Sequence, residues 1–159
     1  MKKLAIAAMV ALSFSASTVA EVTRFGSWNA EVATDALTDK VVSGMHQSHP
    51  SSARFSIGLL CTAKDDLMLS VGDAEMWHWQ SARNKAPSLT YRIDSETPVT
   101  VNALTLRDSR AVYILDESHV NAFIAAASKG NKLVVRPYDG KDTGSTMTYS
   151  LNGFTKAAK

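Results

Sequence analysis

Between Ser88 and Phe154 the hydrophobic period of the chain changes twice, and that constrains the fold more than any other feature. Leu89, Tyr91 and Ile93 alternate with Thr90, Arg92 and Asp94, the period of a half-buried strand. After a turn at Ser95 to Pro98, the segment Val99 to Leu106 alternates through Val99, Val101 and Ala103, then slips to Leu104 and Leu106. A slip of that kind predicts a bulge. Ala111 to Leu115 is an apolar strand. Val120, Phe123, Ile124 and Ala127 then fall at i, i+3, i+4 and i+7, one stripe of a helix. Asp116 or Ser118 can cap its start, Glu117 suits the positive end of the dipole, and Lys129 and Gly130 stop it. Lys132 to Tyr138 returns to a strand. Pro137 lacks an amide donor, which puts that end of the strand at an edge. Thr146 to Leu151 is the last strand, Gly153 and Phe154 close the domain, and the Lys-Ala-Ala-Lys tail is expected to fray.

The earlier part of the chain reads the same way. Ser27 to Ala33 alternates and is the first expected strand. Thr34 to Lys40 is a polar turn, Val41 to His46 a strand, and Gln47 to Ala53, with Pro50, a loop. Phe55, Ile57, Leu59 and Cys61 share one face of a strand over Arg54 to Cys61. Leu67, Leu69 and Val71 face together on its return, which makes the pair a hairpin. Phe25 and Trp28 are expected in the core. Eight or nine short strands with turns about every ten residues and one short helix near the C-terminus predict a mainly β chain. The expected architecture is a single antiparallel β-sandwich or barrel-like domain over residues 21–159.

Residues 1–20 are read apart from that domain. Lys2 and Lys3, the apolar run Leu4 to Leu12 and the small residues Thr18 and Ala20 form a secretory signal peptide, with cleavage expected after Ala20. The apolar run is too short to span a bilayer, which takes about 20 residues, so no stable membrane insertion is expected after cleavage. The expected location is periplasmic or secreted. Loss of Lys2 and Lys3 takes the 17 basic residues to 15, against 15 acidic ones. A net-neutral chain without a basic stripe in its sequence gives no reason to expect nucleic acid as a partner. Cys61 is the single cysteine, so an internal disulfide is excluded. It ends an apolar segment and is read as a buried apolar residue, a reactive thiol being the other reading.

A tryptophan strand, T-D-A-L-T-D-K, a strand ending L-L-C, then L-T-Y-R-I-D, a short helix, K-L-V-V-R-P-Y and a terminal L-N-G-F follow in that order. The order resembles a group of small exported bacterial proteins. The group includes type VI secretion-associated accessory proteins of the VasI/TagO kind and the invasion-associated locus B proteins. The resemblance covers nearly the whole of residues 21–159. Its best pieces are Tyr91-Arg92-Ile93-Asp94 and Leu133-Val134-Val135-Arg136. It implies a periplasmic, β-rich, non-enzymatic domain accessory to an envelope or secretion process, and it brings no catalytic residues.

The candidate chemistry is sparse. His46, His49, His78 and His119 fit no metal-ligand spacing, so no metal and no cofactor is expected. A nucleophile elbow is absent. Trp77 and Trp79, two apart in Met76-Trp77-His78-Trp79 and followed by Arg83, Asn84 and Lys85, have the composition of a binding hot spot; closure of one sandwich end is the other reading. Arg92 and Asp94 lie on the polar face of their strand as a candidate partner-binding pair, which Arg136 joins if the two strands are neighbours; a cross-strand ion pair or a solvated face is the other reading. The expected function is a soluble binding or accessory protein of the cell envelope, contacting another envelope protein through a sheet edge or the Trp77–Trp79 segment. A small periplasmic enzyme, or an inhibitor of a cell-wall enzyme, is the alternative.

Overall fold

The computed structural model describes residues 21–34, 38–61, 66–73, 86–105, 111–138 and 145–159. Among these residues eleven strands and two helices follow in the order β1 (Glu21–Phe25), β2 (Trp28–Thr34), β3 (Val41–His49), β4 (Ser52–Cys61), β5 (Leu67–Asp73), β6 (Ser88–Ile93), β7 (Val99–Asn102), β8 (Leu104–Thr105), β9 (Ala111–Ile114), α1 (Glu117–Ala127), β10 (Lys132–Tyr138), β11 (Met147–Ser150) and α2 (Phe154–Ala157). They build two antiparallel sheets, one ordered β1-β2-β3-β4-β5-β9-β8 and one ordered β11-β10-β6-β7. The alternating strands thus form a two-sheet sandwich, one of the two architectures that their period of two allows. No helix among the described residues is long and apolar enough to cross a membrane.

The inner faces share one core. Leu59, Leu69, Val71 and Val112 of the larger sheet and Leu89, Tyr91, Leu133, Val135 and Tyr149 of the smaller are all buried in a single cluster. The helix falls over Glu117–Ala127, capped by Asp116, whose side chain accepts from the His119 amide at 2.9 Å. Its buried residues are Val120, Phe123 and Ala127. Phe123 meets Tyr91 edge-on at 5.3 Å and Phe154 at 6.1 Å, and Phe154 meets Trp28 at 5.1 Å. This chain of edge-to-face rings ties the smaller sheet through α1 and α2 to the larger one.

Several expectations are corrected. A strand, β1, precedes the first expected one and pairs along its whole length with β2. The loop expected over Gln47 to Ala53 is a turn at Pro50 and Ser51 between longer strands. The slip after Ala103 is a change of sheet rather than a bulge: β7 pairs β6 in the smaller sheet, and β8 pairs β9 in the larger. Ala103 itself is buried at the crossing, its amide bonded to the Pro87 carbonyl at 2.9 Å. β10 is an internal strand, yet β11 pairs it only as far as Val135, so among the described residues the Pro137 end has a partner on β6 alone. The C-terminal tail does not fray at Phe154 to Ala157 but forms α2, anchored by fully buried Phe154.

Candidate functional site

Two turns fix one wall of a groove. Gly26 takes a φ of 59° in the two-residue turn between β1 and β2, where a positive φ suits the twist of a hairpin. That turn docks on the one between β11 and α2. The Ser27 amide donates to the Asn152 carbonyl at 3.1 Å, and Trp28 Nε1 donates to the Ser150 carbonyl at 3.0 Å. Gly153, at φ 89°, comes so close that a Cβ there would lie 1.9 Å from the Phe25 carbonyl oxygen. Gln47 Nε2 adds a 3.0 Å bond to the Ser27 carbonyl. The lock holds α2 beside the edge of the larger sheet.

The strand registers define rows of residues across the inner face of that sheet. Met45, Leu59, Leu69 and Ile114 face one another in one row and are 2–4% exposed. The next row, two residues along each strand, runs Glu21–Val32–Ser43–Cys61–Leu67. Here the smaller sheet no longer covers the larger: Val32 is 48% exposed and Cys61 and Leu67 are half-buried. This row floors a groove of about 480 Å³, with Thr23 and Phe25 of β1 at its side and Ile124 of α1 and Lys156 and Ala157 of α2 above. The size lies within the range of ligand and peptide clefts. Cys61 therefore lines a groove instead of lying buried in the core. Beyond it, β1 ends the sheet, pairing among the described residues with β2 only.

The residues predicted as sites fall differently. Trp77 and Trp79 lie outside the described residues, as does the expected signal peptide over residues 1–20. Arg92 and Arg136 come together, because β6 and β10 are neighbours in which Arg92 faces Val134 and Arg136 faces Thr90. Both are exposed on the outer face of the smaller sheet. Asp94 leaves that face. It sits at φ 49°, and its carboxylate accepts from the Asn131 and Lys132 amides at 2.9–3.2 Å while its own amide donates to the Lys132 carbonyl at 2.8 Å. It clasps the end of β6 to the start of β10.

The described histidines occupy three separate settings. His46 lies 3.5 Å from the Glu31 carboxylate and 3.3 Å from the Asn29 amide. His49 stacks edge-on against Phe55 and Tyr149, and His119 bonds Asp116 at 2.9 Å. Among the described residues no three His, Cys, Asp or Glu side chains converge as metal ligands would.

Compared with protein families, characterised proteins and solved structures, the chain matches none.

The groove row was not legible as a site in the sequence. Its members carry the same alternation as the core row, and nothing in that alternation states where the opposing sheet stops.

Proposed function

We propose that this is an exported binding or accessory module of the bacterial cell envelope that acts by protein–protein contact, with the groove and the edge of β1 as its contact surface. The observation that carries the reading is the coincidence of two features on one strand. Among the described residues β1 ends its sheet with one hydrogen-bonding edge outside the ladder, and its alternate residues Glu21, Thr23 and Phe25 line the largely apolar groove. An extended segment added to such an edge gains main-chain hydrogen bonds and places every second side chain on the groove's side of the sheet, next to Glu21, Thr23 and Phe25 at its rim. The occupant is therefore an extended segment of a partner protein with apolar residues at alternate positions. Export and an envelope role are supported by the signal-peptide pattern of residues 1–20 and by the resemblance to secretion-associated accessory proteins.

The test is a photo-crosslinking residue placed at Thr23 or Val32 in cells, with Asn121 on the exposed face of α1 as control. The cross-linked partner segment is then synthesised and mixed with the mature protein. The reading requires that this peptide slow hydrogen exchange of the β1 amides and that Val32→Glu abolish the effect. Adducts equal to the Asn121 control, or protection that spares β1, would remove it.

A further inference from the structure

The outer face of the smaller sheet carries cations without acids among the described residues. Its outward positions are Ser88, Thr90 and Arg92 on β6, Thr100 and Asn102 on β7, Lys132, Val134, Arg136 and Tyr138 on β10, and Thr148 and Ser150 on β11. Asp94, which follows β6 in the turn, has its carboxylate on the Asn131 and Lys132 backbone amides. Arg92, Lys132 and Arg136 are exposed, and neither arginine has an ion-pair partner among the described residues. The rest of the face is short and mostly hydroxylated; Thr90 and Thr100 bond each other at 2.9 Å. The concentration of positive charge is local, since residues 21–159 are neutral overall.

The spacing of the cations says what would match them. Arg92 stands opposite Val134, midway between Lys132 and Arg136 on the neighbouring strand. The three form a zigzag with diagonal separations of about 7–8 Å, advancing about 6.6–6.8 Å per step along β10. That step is the same-side repeat of any extended peptide. Arginine forks suit planar carboxylates, which they bind through two parallel bonds. Single-stranded nucleic acid instead wants aromatic stacking platforms, and among the described residues the face offers only half-buried Tyr138.

We infer that the outer face of the β11-β10-β6-β7 sheet is a second docking surface, for an extended acidic peptide segment with carboxylates at alternate residues. It lies on the opposite side of the smaller sheet from the core, apart from the groove, and does not rest on the groove's role.

Fluorescence anisotropy tests it with two labelled peptides of one composition, built from Asp and Ser. One has Asp at every second position and the other has its Asp residues in a single block. The alternating peptide is expected to bind at least tenfold more tightly than the block peptide, with affinity falling as salt rises. Arg92→Gln with Arg136→Gln should weaken it at least tenfold, whereas Lys129→Gln, an exposed cation beyond α1, should change it less than twofold. Circular dichroism of each variant confirms that the fold is kept. Equal binding of the two peptides, no effect of the double variant, or equal competition by phosphatidylglycerol vesicles would each overturn the inference.

Discussion

Leu59 and Cys61 sit two residues apart on one strand, facing the same way, and meet opposite fates. Leu59 belongs to a row closed over by the smaller sheet and α1, and is 4% exposed although it borders the inner wall of the groove. Cys61 belongs to the next row, which floors an open groove. The alternation that builds a strand fixes which face a residue takes. Whether that face becomes core or site depends on how far the opposing layer reaches. Among the described residues the larger sheet has seven strands and the smaller four, and the excess is finished by two short helices that leave one row only partly covered.

Substitutions in the two rows break or sharpen this contrast. Leu59→Ala removes a side chain from the covered row and should lower stability by about 2–5 kcal/mol, read from the denaturant midpoint. A loss below about 1 kcal/mol would mean that the two rows do not differ. Asp94→Ala tests the clasp beside the smaller sheet. It removes the acceptor for two amides and puts Ala at a positive φ, and should cost about 1–2 kcal/mol by thermal unfolding. Asp94→Asn, which keeps one acceptor and tolerates that φ, should recover part of it. Val32→Glu at the exposed end of the partly covered row should shift stability by only about 0.5 kcal/mol while blocking the groove to an apolar segment.

The smallest effect concerns the cover. The Ser118 hydroxyl and the His119 amide hold the Asp116 carboxyl below the usual carboxylate range. A carboxyl depressed in the folded state stabilises above its unfolded pKa, about 3.9. That contribution is lost as pH falls through the folded value. The difference in melting temperature between wild type and Asp116→Ala should thus be flat above about pH 5 and shrink in stronger acid. A difference independent of pH down to about pH 2 would show that the charge on Asp116 does not contribute.

Much of the fold was legible in the sequence because its cause is local. The period of two at Phe55 to Cys61 and Leu89 to Ile93, and the period of 3.6 at Val120 to Ala127, name their elements directly. β1 was missed because Glu-Val-Thr-Arg-Phe has one face in a half-open groove and the other in solvent, so no apolar set repeats along it. The shift at Ala103 was visible, but a change of sheet and a bulge leave the same mark in sequence. The binding surfaces are less legible still, since they depend on register between distant strands. Alternation put Arg92 and Arg136 outward, and only the pairing of β6 with β10 brings them together. Asp94 was grouped with Arg92 by that same rule, and a positive φ at the strand end took it away.

Thiol labelling tests the contrast between the rows most directly. Cys61 in the native protein is compared with Leu59→Cys in a Cys61→Ser background, using one small alkylating reagent. Cys61 is expected to react in the folded state at a rate insensitive to mild denaturant. The cysteine at position 59 should react more slowly by roughly a hundredfold or more, and only through unfolding. Equal protection of both would mean that the row is covered and the groove is closed, and the account of β1 as a docking edge would fall with it.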